Sequence, residues 1–163
     1  MLHMQLAEEL SQIRGHVLVE VIRDSGDGPK VIQRREINNL VVNVGKRQIL
    51  RLAAGLQNDI FDQFRIGTSP AAPNSGQTNV LSPVTCSIVT VGSITLLAAT
   101  RTLQWVESYP SGVGSKSANG ISEIVLLNQH TSPGGSAAMR STYTAVNKTT
   151  NDKLKFTYSL RAV

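Results

Sequence analysis

The chain has 163 residues, a formal net charge of +5, and aromatic residues at only 4% of the sequence. This length suits one domain that can bury enough surface to fold without a metal, and the single cysteine, Cys86, excludes an internal disulfide framework. No apolar run approaches the ~20 residues of a membrane-spanning helix, and scattered basic residues with few aromatics argue against specific nucleic-acid binding. We therefore expect neither a membrane nor a nucleic-acid partner, and the basic charge suits docking on an acidic protein surface.

The sequence predicts an N-terminal arm or helix over residues 1–14, ahead of a single domain over residues 15–163. An apolar stripe recurs at steps of four, four and three, as on one face of a helix: Leu2, Leu6, Leu10 and Ile13. A short terminal helix needs a surface to rest on. The stripe either caps the core of its own domain or packs on a neighbouring subunit, and we expect removal of the segment to impair assembly more than folding. Because Glu8 and Glu9 interrupt this stretch, we expect no secretory signal.

The next part of the chain predicts a β-hairpin followed by a short helix. Apolar stretches at residues 16–22 and 31–37 flank a turn rich in Asp and Gly, which is typical of a hairpin with a long loop. A stripe with helical spacing then predicts an α-helix near residues 44–54, which Asn43 can cap and Gly55 can end. Its buried face would consist of Ile49, Leu52, Ala53 and Leu56.

The middle of the chain combines two loops with two predicted strands. Residues 69–83 are rich in Pro, Ser and Asn and predict an exposed loop. Strands are predicted over residues 84–91 and 94–107. The length of the second indicates a bent strand or one that crosses between sheets. Residues 110–120 predict a flexible connection without a nucleotide-binding fingerprint.

The last third of the chain predicts three strands. Residues 121–127 form a buried strand, residues 130–136 turn the chain, and residues 137–144 return it. Apolar residues then alternate with polar ones, as in a strand with one solvated face: Leu154, Phe156, Tyr158 and Leu160. About eight strands and one main helix predict a mainly β fold, an antiparallel β-sandwich.

No set of residues indicates catalysis. The histidines lack the spacing of metal ligands: His3, His16 and His130. Glu123 is the one acid inside an apolar strand, and we interpret it as an outward-facing residue or half of a salt bridge, since a buried catalytic carboxylate would need a partner. We therefore expect no catalytic residue, no metal, no cofactor and no enzymatic activity.

Two aromatic residues are candidates for an interface. Trp105 and Tyr109 flank the predicted flexible connection, and both residue types are enriched in buried contacts between proteins. Burial in the core of the domain is the alternative for both. With the N-terminal stripe of Leu2, Leu6, Leu10 and Ile13, they complete the predicted interaction residues.

Four short motifs follow one another along the chain: NNLVVNVG at residues 38–45, FRIGTS at 64–69, ISEIVLLN at 121–128 and PGG at 133–135. Their order resembles small virion structural proteins of tailed bacteriophages, in particular the β-sandwich proteins that decorate capsids or form head and tail appendages. The resemblance covers roughly residues 16–163. In those proteins a Glu often occupies the place of Glu123, which implies a structural use.

The resemblance implies a jelly-roll-like arrangement, with an immunoglobulin-like strand order as the alternative. It implies a capsid decoration or cement protein that is made in the host cytoplasm, lies on the capsid surface of the virion, and binds and stabilises the lattice of the major capsid protein. We expect a homo-oligomer, a dimer or trimer. The alternatives are a baseplate, tail-fibre or head-fibre adaptor and, in another class, a carbohydrate-binding β-sandwich module.

Overall fold

The computed structural model describes four stretches of the chain, residues 13–56, 60–110, 118–128 and 137–162. Three sequence predictions fall largely outside them: the arm over residues 1–14, the connection at 110–120 and the turn at 130–136. The roles of Leu2, Leu6 and Leu10 therefore stay predictions from the sequence. Within the four stretches, no helix is long and apolar enough to cross a membrane.

The described residues are mainly β, as predicted. The strands are β1 (Ile13–Ser25), β2 (Gly28–Val41), β3 (Phe61–Gly67), β4 (Pro83–Thr90), β5 (Ser93–Leu97), β6 (Thr102–Tyr109), β7 (Ala118–Asn128), β8 (Ala137–Lys148) and β9 (Asp152–Ala162). The α-helix, α1, spans Asn43–Ala53, and a 3-10 helix spans Ala98–Thr100.

The strands form two antiparallel sheets that share β2. They follow the order β4-β3-β7-β8-β2-β1-β9-β6-β5. From Gly28 to Asn39, β2 pairs with β1, whereas Leu40 and Val41 pair with β8. We call β2-β1-β9-β6-β5 sheet I, and β4-β3-β7-β8 with the end of β2 sheet II. The strand that passes from one sheet to the other is therefore β2.

The prediction of one bent strand over residues 94–107 was wrong. This segment is a hairpin in which β5 and β6 pair antiparallel, joined by the 3-10 helix and Arg101. Arg101 has a φ of 51°, in the left-handed region that is uncommon for residues other than glycine. Because the chain reverses here without Gly or Pro, the sequence carries none of the usual turn signals.

The start of the domain also differs from the prediction. Ile13 is the first residue of β1, where it pairs with β9 and packs against the core, so it is not part of a helical stripe. Gly15 lies inside the same strand. The hairpin from β1 to β2 is confirmed, but its loop is only Gly26 and Asp27, followed by Gly28 at a φ of 104°, which glycine adopts at no steric cost.

Helix α1 confirms the predicted helix and its end, but not its cap. Gly55 has a φ of 67°, and the amides of Gly55 and Leu56 donate to carbonyls of the last helical turn, as in the Schellman motif. At the other end, Val42 is the N-cap residue and makes no side-chain capping bond. Asn43 lies inside the helix, and its amide donates to the carbonyl of Ser75 at 2.8 Å. The loop after β3 thus supplies an acceptor for the exposed end of α1.

The two sheets meet in one apolar core. In β9, Leu154, Phe156 and Tyr158 are fully buried while the residues between them are half-exposed, which confirms the predicted alternation. Phe64 of sheet II lies against the rings of Phe156 and Tyr158, with centroid distances of 6.1 and 5.5 Å. Such ring pairs add to the free energy gained from burial.

Trp105 and Tyr109 are buried in the core, which is the alternative that the sequence left open for both. They are 3% and 0% exposed. The Trp105 indole N–H donates to the carbonyl of Phe61 at 2.7 Å, and the Tyr109 hydroxyl donates to that of Phe64 at 2.8 Å. Because these bonds satisfy the polar end of each side chain, sheet I can bury both rings against sheet II.

Candidate functional site

The loop between β3 and β4, residues 68–82, lies over the outer face of sheet II. We call it the anchored loop. Val80 in this loop is buried against Val125 and Leu127 of β7. Every residue of the segment 121–128 is consequently buried, since the core covers one face of β7 and the anchored loop the other. This two-sided burial accounts for the nearly continuous apolar run in the sequence.

A buried ion pair holds the anchored loop from beneath. Glu123 of β7 and Arg140 of β8 are both 0% exposed, with 2.6 Å between the Arg140 Nε and the Glu123 Oε1. The same carboxylate accepts backbone N–H groups of the loop, Oε1 from Leu81 at 2.8 Å and Oε2 from Ser82 at 3.4 Å. Three donors thus converge on one carboxylate, which is how a buried charge is compensated.

Arg140 extends the anchorage to the other half of the loop. Its Nη1 donates to the carbonyl of Ala71 at 2.9 Å and to Oε1 of Gln77 at 3.0 Å. Nearby, the amide of Ala137 donates to the carbonyl of Thr78 at 3.1 Å. One charged pair on two adjacent strands therefore fixes a loop that, by composition alone, would be mobile.

Two glycines allow the close approaches that this arrangement needs. A Cβ on Gly67 would lie 2.5 Å from Oε2 of Glu123 and 2.6 Å from the carbonyl oxygen of Ser82. A Cβ on Gly45, in α1, would lie 2.1 Å from the carbonyl oxygen of Ala138 in β8. Both distances are far inside van der Waals contact, so only glycine fits at either position.

Three of the four motifs that carry the resemblance meet at this ion pair, and the fourth, at residues 133–135, lies outside the described stretches. Residues 38–45 bring β2 and α1 to β8, residues 64–69 lead into the anchored loop, and residues 121–128 contribute Glu123. The salt-bridge interpretation of Glu123 is confirmed, whereas the outward-facing alternative is wrong because the loop covers that face. Sequence reasoning missed Arg140. The sequence did contain a signal for this pair: each of two consecutive predicted strands holds a single charged residue, Glu123 in the first and Arg140 in the second.

The other candidate for function is the edge of sheet I formed by β5, which pairs only with β6 among the described residues. All of its residues are exposed, including the apolar Ile94 at 43%, Leu96 at 68% and Leu97 at 41%. The segment from Val91 to Thr100 contains no charged residue. Natural edge strands usually carry charges that prevent pairing with other chains. An uncharged apolar edge is instead typical of a surface that receives a partner.

The three tyrosines are buried in the apolar core. Burial raises the pKa of all three tyrosines, Tyr109, Tyr143 and Tyr158, because a phenolate would lose its solvation. In the described stretches, no group of three or more His, Cys, Asp or Glu side chains could hold a metal ion.

Comparisons with protein-family models, with curated proteins and with solved structures found no match for this chain. The anchored loop and the apolar edge of β5, together with the motifs, are the features from which a function can be inferred.

Proposed function

We propose that the chain is a non-enzymatic structural protein of a bacteriophage particle, in particular a capsid decoration or cement protein that binds the major capsid protein. The observation that carries this proposal is the apolar edge of β5, which no strand other than β6 pairs with in the described part of the chain. An edge strand binds a partner strand through its free backbone N–H and C=O groups, and its alternate side chains fill pockets of the partner. Leu96, the most exposed of the apolar residues in β5, is the expected anchor. That the particle is a bacteriophage is inferred from the resemblance of the sequence motifs to virion structural proteins.

The mechanism is mechanical. Each copy contacts neighbouring capsid subunits and raises the free energy needed to separate them, and many weak contacts acting together give strong attachment. A positive net charge of +5 favours docking on an acidic lattice. The Glu123–Arg140 pair already holds the anchored loop in one position. The loop therefore loses little conformational entropy when the protein binds the capsid. Self-association into a dimer or trimer is part of this proposal.

We also infer that the two sheets form a β-sandwich of the jelly-roll type. Contacts between Phe64 and the rings of Phe156 and Tyr158 support face-to-face packing. The passage of β2 from sheet I to sheet II resembles the corners of sandwiches in which a strand changes sheets.

A carbohydrate-binding module is less well supported by the side chains on the surface. Such modules expose clustered aromatic rings, whereas all seven aromatic residues of this chain are buried: Phe61, Phe64, Trp105, Tyr109, Tyr143, Phe156 and Tyr158. A baseplate or fibre adaptor could use the same apolar edge. Copy number distinguishes it from a decoration protein, since tail and portal positions hold about six to eighteen copies and a capsid surface hundreds.

The test uses purified phage particles that lack the protein. Wild-type chain should bind them, and Leu96→Lys should weaken binding by about 10- to 100-fold, because burial of one leucine contributes about 1.5–3 kcal/mol. Leu56→Lys is the matched control, since Leu56 lies outside β5 and is 69% exposed against 68% for Leu96. Equal binding by the two variants would remove β5 from the interface. Absence of the chain from complete particles, measured by mass spectrometry, would refute the proposed function itself.

A further inference from the structure

Strand β5 extends sheet I beyond the edge of sheet II. The last strand of sheet II, β4, lies against β6 of sheet I. In β5, Ile94 lies opposite Trp105 and Leu96 lies opposite Leu103. Opposite residues of an antiparallel pair share one face of the sheet, and Trp105 and Leu103 face the core. Ile94 and Leu96 therefore continue the inner, core-facing side of sheet I, yet both are exposed.

The opposite edge of sheet I has a different chemistry. From Gly28 to Asn39, β2 pairs only with β1 among the described residues, and its exposed positions include Lys30, Arg34 and Glu36. Charges on an edge strand discourage pairing with another chain. In contrast, the segment from Ile66 to Thr100, which includes β5, contains no charged residue. Two copies with a net charge of +5 each can therefore meet along β5 without placing like charges opposite each other.

The sequence of β5 is complementary to itself in the antiparallel direction. If two β5 strands pair with Thr95 at the centre, Ile94 of each copy lies opposite Leu96 of the other. A two-fold axis perpendicular to the sheet keeps the inner faces of both copies on the same side, so these four side chains would form one apolar cluster. Cross-strand pairs of this kind stabilise a sheet. Only this register gives every residue of β5, from Ser93 to Leu97, a partner within the second β5.

We propose that the free protein forms a two-fold dimer in which β5 pairs antiparallel with β5 of a second copy, centred on Thr95. Backbone hydrogen bonds join the two copies of sheet I into one continuous sheet. The dimer covers an edge that could otherwise pair with other chains and aggregate. This inference concerns the chain in solution and does not rest on the proposed function. Because β5 can pair with one further strand at a time, binding to a capsid through β5 would separate the dimer.

Sedimentation velocity of the full chain, without particles, tests the dimer. At roughly 0.1 mM, where even an interface of modest affinity is occupied, the wild type should have twice the monomer mass of 17.5 kDa. Leu96→Lys should weaken the dimer by at least about 10-fold, because it places a charge against Ile94 of the second copy. Leu56→Lys is the control, since Leu56 is equally exposed and lies outside β5. Wild-type protein with the mass of a monomer or a trimer, or equal weakening by both variants, would overturn the proposal.

Cysteine cross-linking tests the register of the pairing. In the full chain with Cys86→Ser, which removes the native cysteine, Thr95→Cys places two thiols at the two-fold axis. Opposite Cα atoms there are about 4.5–5.5 Å apart, within the range of a disulfide.

Ser93→Cys is the control for this cross-link. Position 93 lies on the same face of β5, but its two copies would be four residues apart along the strand, or about 13 Å, too far for a disulfide. Under mild oxidation, Thr95→Cys should link two chains at least about 10-fold faster than Ser93→Cys, with circular dichroism showing that both variants are folded. Equal rates, or no link from position 95, would overturn the proposal. Neither experiment contains particles, so failure of the dimer and failure of the proposed function are separate results.

Discussion

At the scale of single residues, the Glu123–Arg140 pair contributes more to the arrangement of the chain than to its net stability. Two buried charges lose their hydration, and their attraction offsets this loss only where further hydrogen bonds complete the site. Here those bonds come from the anchored loop, through the amides of Leu81 and Ser82 and the carbonyl of Ala71. The pair therefore selects one position of the loop.

Arg140→Ala should lower the free energy of unfolding by about 3–5 kcal/mol, because it leaves the Glu123 carboxylate buried without its counter-ion. Chemical denaturation measures this loss, and hydrogen exchange should show that the Leu81 amide becomes less protected. Lys30→Ala is the control, since its ion pair with Asp27 is exposed and its removal should cost no more than about 0.5 kcal/mol. Similar losses in both variants would contradict the assignment of Arg140 as the anchor.

At the scale of elements, the contact between α1 and β8 depends on a residue without a side chain. Helix propensity alone predicts that Gly45→Ala would stabilise the protein by up to about 1 kcal/mol. The structure predicts the opposite sign, because the added Cβ would lie 2.1 Å from the carbonyl oxygen of Ala138. Forcing α1 away from β8 should destabilise the protein by about 1–3 kcal/mol.

Thermal denaturation of Gly45→Ala shows whether the gain in helix propensity or the clash with Ala138 has the larger effect on stability. Gly26→Ala is the matched control, since a Cβ there meets no atom within 4 Å and its effect should be within about 0.5 kcal/mol. An increase in the melting temperature of Gly45→Ala would show that α1 does not approach β8 as described.

Elements with a regular internal period could be predicted from the sequence, and those defined by distant contacts could not. The alternation from Leu154 to Leu160 and the helix that ends at Gly55 depend on local spacing, and both are confirmed. The buried face of that helix was predicted one residue too long, since Leu56 is 69% exposed. The β5–β6 reversal lacks a turn residue, and the exchange of β2 between sheets depends on its partner β8. In the site, the sequence marked Glu123 as the one acid inside an apolar strand. Its pairing with Arg140 could not be predicted, because the two residues become neighbours only when β7 and β8 pair in the sheet.

At the scale of the whole molecule, the tyrosines link unfolding to alkaline pH. Burial raises the pKa of Tyr109, Tyr143 and Tyr158 in the folded chain, whereas in the unfolded chain they titrate near pH 10. Above about pH 10 the unfolded state therefore binds up to three fewer protons. The stability conferred by the three neutral phenols is fully present below that pH and is lost as the pH rises above it.

We expect tyrosinate absorbance to appear in one step, together with the loss of circular dichroism. In Tyr143→Phe, the increase in tyrosinate absorbance at this step should come from two tyrosines in place of three. It should change stability little, because the Tyr143 hydroxyl has no hydrogen-bond partner among the described residues. A tyrosine that ionises near pH 10 while the circular dichroism stays native would contradict the burial of these side chains.

The sharing of β2 has a consequence for how the protein would respond to force. Asn39 still pairs with β1 of sheet I, and the next residue, Leu40, pairs with β8 of sheet II. A single peptide bond therefore carries tension from one sheet to the other. The two sheets cannot be pulled apart by sliding their apolar faces alone, since ladder hydrogen bonds of β2 must break as well. A protein that joins its neighbours through the free edge of sheet I would in this way pass a load directly into sheet II.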